Sequence, residues 1–206
     1  MQHLKRLEHL ELTQLPSVSS FEGVQQLPLL ERLDADRLNT TRLDTLGPLP
    51  KLTHLSLDQS AWTLEGINRS PTLETLKVTG MTSINGLGAL PKLMHLSIIN
   101  CGLDDPRVLH DLPSLQKLKL DAGRLISTAG IEALQHLEHL EVIRTRFEDF
   151  VSLNLLERLE QLHMKHVKVK KAFGPLPASL RLWTVHGFQS WPHVDIPPSC
   201  RVVLKS

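Results

Sequence analysis

Tyrosine is absent from these 206 residues, and all aromatics together make up 4% of them. No tyrosine is available as a catalytic acid or nucleophile. The two cysteines, Cys101 and Cys200, are too few for a disulfide framework and point to a reducing, cytoplasmic setting. Neither sign of charge dominates, since 23 Lys and Arg stand against 22 Asp and Glu for a formal net charge of +1. Such a balance supplies no drive toward nucleic acid or an anionic membrane, and it favours a protein partner or a neutral ligand. No apolar run reaches the roughly eighteen residues of a membrane span, and Met1-Gln2-His3-Leu4-Lys5-Arg6 lacks the apolar stretch of an export signal. There is also no P-loop, GxGxxG, nucleophile elbow or HExxH. The chain is therefore expected to be neither an enzyme nor a carrier of a cofactor.

Leucine at a fixed spacing is what the chain does have. Leu10, Leu33, Leu55, Leu76, Leu96, Leu118, Leu140 and Leu162 recur at steps of 23, 22, 21, 20, 22, 22 and 22. Each has apolar partners three residues before and two after, such as Leu7 and Leu12, Leu93 and Ile98, or Leu159 and Met164; Ala35 alone is undersized. Two apolar residues separated by one polar residue form the inward face of a short strand, and the leucine three earlier turns the chain into it. One such unit cannot cover its own leucines, so neighbours must stack in parallel.

The stretch from Leu90 to Leu103 reads LPxLxxLxLxxCxL. It resembles the leucine-rich-repeat signature L-x-x-L-x-L-x-x-N/C-x-L, and the resemblance runs from Leu4 to about Leu204. It implies an α/β leucine-rich-repeat solenoid, a curved right-handed superhelix with a parallel β-sheet on the concave face and short helices, 3-10 turns and loops on the convex face. A single domain over 1–206 is expected, with about eight regular repeats over 4–170 and degenerate repeats plus a C-terminal cap over 171–206. The tail wording Leu176-Pro177-Ala178-Ser179-Leu180 is similar to bacterial members of the family, including recognition domains of secreted ubiquitin-ligase effectors. In those the ligase is a separate domain with its own catalytic cysteine, for which this chain has no room. The resemblance thus implies a recognition part.

Between strands, Thr41–Leu46 and Ile131–Leu134 have apolar residues at three-residue spacing and are expected as short helices or 3-10 turns. Ser127–Leu134 is a further helix candidate, and in the segment from Leu103 to Leu109 Asp105 suits an N-cap and Pro106 the first helical position. The position three after the last strand leucine, usually Asn or Cys, holds Leu15, Leu38, Ser60, Met81, Cys101, Gly123, Thr145 and Val167. Without an asparagine ladder the inner turns are expected to be less regular and held by packing or water. Cys101 reads as a small buried ladder group and not as a reactive thiol. In the tail, Phe173–Val185 and Ile196–Leu204 each read as one more strand after a Pro-rich turn, with Trp183, Phe188 and Trp191 placed to close the core or, alternatively, to form an aromatic recognition patch.

Alternation names the outward side chains in three columns. The first runs His9, Arg32, His54, Thr75, His95, Lys117, His139, Gln161; the second Glu11, Asp34, Ser56, Lys77, Ser97, Lys119, Glu141, His163; the third Thr13, Asp36, Asp58, Thr79, Ile99, Asp121, Ile143, Lys165. The early repeats are acidic and the middle is basic at Lys77, Lys117 and Lys119, with Ile99 and Ile143 as apolar elements. The expected partner site is therefore Arg32, Asp34, Asp36, His54, Asp58, Lys77, His95, Ile99, Lys117, Lys119, His139, Glu141, Ile143 and His163. The bland alternative is an ordinary solvated sheet face. Two roles fit a non-catalytic protein-binding module: the recognition part of a bacterial effector, or a free-standing inhibitor or immunity-type protein.

Eleven histidines raise a metal-dependent alternative. His9, His54, His95 and His139 lie in alternate repeats, about 9 to 10 Å apart, too far to share an ion. The nearest constellation is His139, Glu141 and His163, which also reads as a polar rung in which Glu141 meets Lys119. His54, Ser56 and Asp58 line one strand at spacing two with no oxyanion hole, so rung neighbours explain them better than catalysis.

Overall fold

A computed structural model describes residues 2–39, 43–59, 63–101, 103, 106–121, 125–126, 130–147, 151–169, 174–187 and 194–205. The chain falls into two compact units, Met1–Gly102 and Leu103–Ser206.

In the first unit the strands are β1 (His9–Thr13), β2 (Arg32–Asp36), β3 (His54–Asp58), β4 (Thr75–Thr79) and β5 (His95–Ile99). They pair in parallel and in sequence order, each central leucine opposite the next: Leu10, Leu33, Leu55, Leu76, Leu96. Leu33, Leu55, Leu76 and Leu96 are buried, as are Ala35, Leu57, Val78 and Ile98 two residues on. The undersized Ala35 is as buried as its larger counterparts.

The second unit repeats the arrangement with β6 (Lys117–Asp121), β8 (His139–Ile143), β10 (Gln161–Lys165), β12 (Leu182–His186) and β13 (Arg201–Lys205). These too pair in parallel in that order. The two tail strands expected from the sequence are thus β12 and β13. Trp183 takes the place of the central leucine in β12; it is fully buried and donates its indole N–H to Met164 Sδ at 3.3 Å. Phe173, Phe188 and Trp191 lie outside the described residues. A second small sheet of two-residue strands, β7 (Leu125–Ile126), β9 (Arg146–Phe147) and β11 (Lys168–Val169), runs parallel in the order β11-β9-β7. Nothing in the sequence pattern announces it.

Each strand is fed by a tight turn. Leu30 N–H donates to Leu27 O, Leu52 to Leu49 O, Leu93 to Leu90 O and Leu115 to Leu112 O, all at 3.1–3.2 Å. Pro28, Pro50, Pro91 and Pro113 take the second place of these turns, where proline's fixed φ fits and no N–H is missed.

Where the following residue is among those described, each strand is left through a residue in the left-handed region. Gln14, Arg37, Gln59, Asn100, Arg144 and His166 all have φ between 47° and 53°. Several of their N–H groups reach the neighbouring strand's end: Gln14 to Asp36 O, Arg37 to Asp58 O, Gln59 to Thr79 O and Arg144 to Lys165 O, at 2.8–2.9 Å. The expectation of less regular inner turns is therefore corrected, because the described strand ends share one left-handed conformation and several the same backbone bond to the neighbouring strand. At the ladder position itself Leu38, Met81, Cys101, Thr145 and Val167 are buried, whereas Leu15 is exposed; Ser60 and Gly123 lie outside the described residues.

Away from the strands the chain forms short 3-10 turns, among them Val24–Gln26, Asp44–Leu46, Ile67–Arg69, Pro106–Leu109 and Ile131–Ala133. The expected convex-side turns at 41–46 and 131–134 are present in this shortened form, and Pro106 opens its turn; Thr41, Arg42, Asp105 and Ser127 lie outside the described residues. Gly66 holds a positive φ of 94° just before Ile67, and a Cβ there would stand 2.8 Å from the Asp44 Cα. Glycine is needed on both counts.

Candidate functional site

The outward residues of each strand stand in the columns that alternation predicts. In the first unit the registers are His9, Arg32, His54, Thr75, His95; Glu11, Asp34, Ser56, Lys77, Ser97; and Thr13, Asp36, Asp58, Thr79, Ile99. Adjacent members are about 4.8 Å apart, so side chains interact along a column.

Asp34 is the hub of the acidic end. It accepts from Arg32 through Nε at 2.7 Å and Nη2 at 3.2 Å, and meets His9 Nε2 at 2.9 Å. Burial pushes its carboxyl up, but the hydrogen bonds from Arg32 and His9 with the Arg32 charge outweigh that together and hold it below the ordinary range. Asp36 and Asp58 stand directly opposite each other, an unfavourable like-charge pair eased by Arg37 Nε at 3.5 Å from Asp36. His54 bonds Thr53 Oγ1 at 2.8 Å through Nδ1. Its imidazole is thus engaged off the Ser56–Asp58 line. Lys77 is exposed with no ion pair among the described residues, His95 lies on the same face, and Ile99 is half-buried.

In the second unit Lys119 Nζ reaches Glu141 Oε2 at 2.9 Å, confirming the rung that the sequence suggests. Lys117 is exposed opposite His139. Asp121 is tied instead to the left-handed Arg144, through Nε at 3.0 Å and Nη2 at 2.7 Å, a bidentate pair that keeps that guanidinium protonated. Glu141 stands opposite His163, and His139 opposite Gln161. Burial pushes the His163 imidazole below its ordinary value, against the pull of Glu141 and with help from His139, Lys205 and His186. Among the described residues no group of three or more His, Cys, Asp or Glu is disposed to hold a metal ion. A depression of about 100 Å³ opens on this face between Glu141, Ile143, His163, Lys165, Thr184 and His186.

No protein-family model matches the sequence, and a search of curated proteins returns no significant relative. Solved structures do match. Internalin C2 of Listeria monocytogenes superposes with a TM-score of 0.65 at 23% identity, over 78% of this chain and 73% of that one. Internalin InlF of the same bacterium gives 0.62 at 14%, over 91% of this chain and 64% of the neighbour. The chain has the leucine-rich-repeat fold. A plant peptide hormone receptor, RGFR1 in complex with RGF2, matches at a TM-score of 0.56 and 18% identity over 97% of this chain but only 34% of the receptor.

Within the leucine-rich-repeat turn Cys101 is the buried ladder group expected: Met81 N–H donates to its Sγ at 3.4 Å, and Ile99 O lies 3.2 Å away. Burial pushes its thiol up, so it stays protonated and unreactive. Three residues of the second unit's face escape the sequence columns. Thr184, His186 and Lys205 continue the outward positions on β12 and β13, in register with His163 and Lys165. Trp183 in the leucine position breaks the leucine count on which the columns rest, although the strand itself is legible in the Trp183-x-Val185 alternation. No helix among the described residues is long and apolar enough to cross a membrane.

Proposed function

We propose that this chain is a non-catalytic protein-recognition module that holds its partner on the outward side of its strands. The observation that carries this reading is the division of labour along β2 to β6, β8 and β10: alternate residues are buried apolar core, and the intervening ones form in-register columns rich in charge. A rigid backbone bearing a freely varied polar face suits recognition of a macromolecule. Arg32, Asp34, Asp36, His54, Asp58, Lys77, His95 and Ile99 form the contact set of the first unit, and Lys117, Lys119, His139, Glu141, Ile143 and His163 that of the second. The neighbouring receptor solved in complex with RGF2 supports a proteinaceous ligand. The finer reading is the recognition part of a bacterial effector, supported by the bacterial wording of the tail and the Listeria source of two structural neighbours.

Capture of partners from lysates, with Lys77, Lys117 and Lys119 all reversed to Glu, tests the reading. The partner should be lost while the far-UV circular dichroism stays unchanged. Reversing Lys119 also places two carboxylates side by side with Glu141, so the double variant of Lys77 and Lys117 accompanies it. Capture undiminished in both variants would overturn the assignment of this face.

A further inference from the structure

The outward face of the second unit ends in a basic row that meets no counter-charge among the described residues. Lys165, His186 and Lys205 stand opposite one another on β10, β12 and β13. Ion pairs in this unit among the described residues join Lys119 to Glu141, Arg144 to Asp121 and Arg181 to Glu160, and none reaches the row. Lys165 and Lys205 flank His186 from either side, and burial and their charges lower its proton affinity, so the row presents two fixed cations around an imidazole that an anion would charge.

The depression beside the row gives the anion a place. Its volume of about 100 Å³ suits a carboxylate with one or two methylenes. Ile143 supplies an apolar wall, the buried Thr184 lies beneath, and Lys165 and His186 border the opening. Glu141, the one carboxylate in the lining, is already engaged by Lys119. We propose that this pocket is an anion subsite for a carboxylate side chain of an acidic segment of the protein partner, with Lys165, His186 and Lys205 supplying the charge and Ile143 packing on the methylenes.

The protonation behaviour of the pocket agrees with that assignment. Burial holds His186 below its ordinary value, and Lys205, Lys165 and His166 push it the same way; His163 is held down similarly. The groups facing the site are His139 and Glu141 from β8, His163, Lys165 and His166 from β10 and its turn, His186 from β12 and Lys205 from β13. An entering carboxylate reverses the sign of the local field, so both imidazoles should take up protons when it binds.

The subsite rests on the recognition reading and deepens it. The test is histidine-ring NMR on the full chain, titrated with a blocked hexa-aspartate peptide or with inorganic phosphate, chloride being used to hold ionic strength constant. The expected result is saturable movement of the His163 and His186 resonances by hexa-aspartate, upward shifts of both pKa values, and no response from His9 or His54. Replacing Lys165 and Lys205, both exposed, by Gln should weaken the peptide at least tenfold and raise the His186 pKa in the free protein. Equal drift of all histidines, or undiminished binding to the double variant, would overturn the proposal; saturation by phosphate without any by hexa-aspartate would overturn the carboxylate assignment. Saturation of the pocket while the Lys77, Lys117 and Lys119 reversals leave capture intact would sink the larger face and keep the subsite; the opposite pair of results would do the reverse.

Discussion

The two units build the same strand and charge it differently at the same place. The third outward position holds Thr13, Asp36, Asp58, Thr79 and Ile99 in the first unit, against Asp121, Ile143, Lys165, His186 and Lys205 in the second. Asp34 and Asp36 in the first draw cations from their own neighbourhood, His9, Arg32 and Arg37. In the second, Asp121 and Glu141 are served by Arg144 and Lys119, and the basic row beyond them meets no carboxylate among the described residues. Inward leucines and backbone ladders carry the architecture, so the outward charge is free to differ from unit to unit.

If the scaffold is common to both units, breaking it should cost alike in either. Leu76→Ala in β4 and Leu140→Ala in β8 each remove a fully buried side chain, and each should destabilise by about 2–5 kcal/mol in urea denaturation. A large disparity would show that the shared leucine pattern hides unequal cores. Gly66→Ala should cost about 1–3 kcal/mol, because the new Cβ meets backbone in a left-handed conformation. Gly23→Ala shares the positive φ with nothing within 4 Å of the Cβ, so the difference between the two variants isolates the clash.

Acid should separate the units by window. His163 and His186 have lowered folded values, so the unfolded chain binds their protons more readily and stability falls as pH drops below about 6.5. The variant with both changed to Gln should lose that dependence. Asp34 is also lowered, but its contribution persists above about 3.9 and is lost only as pH falls below that. Denaturation curves at pH 7.5, 5.5 and 3.5, taken with the histidine variant and Asp34→Asn, check both windows. The smallest effect should come from Lys119→Ala, within about 1 kcal/mol and shrinking with salt, since the pair is half-exposed to solvent.

The strands were legible because Leu33, Leu76 and Leu140 announce themselves by spacing, and the outward columns because alternation follows once the strand is placed. What pairs with each outward residue was harder to see. Glu141 and Lys119 meet along a column and could be read; Asp121 and Arg144 meet only because Arg144 leaves its strand left-handed and doubles back. The two-residue strands around Arg146 and Lys168 are too short for any period to register. The segments between strands carry a recurring hydroxyl–x–x–Gly wording, as in Ser20–Gly23, Thr63–Gly66 and Ser83–Gly86, whose hydroxyls accept from the residue before the glycine. That wording is polar and easily taken for ordinary loop.

The left-handed residues that end the described strands also make the protein a readable instrument in time. The amide proton of such a residue is held by the carbonyl of the adjoining strand and not by its own repeat, so it exchanges with solvent only when those two repeats part. The exchange rates of Gln14, Arg37 and Gln59, and separately of Arg144 and His166, would report how often each seam between neighbours opens while every repeat keeps its own turns.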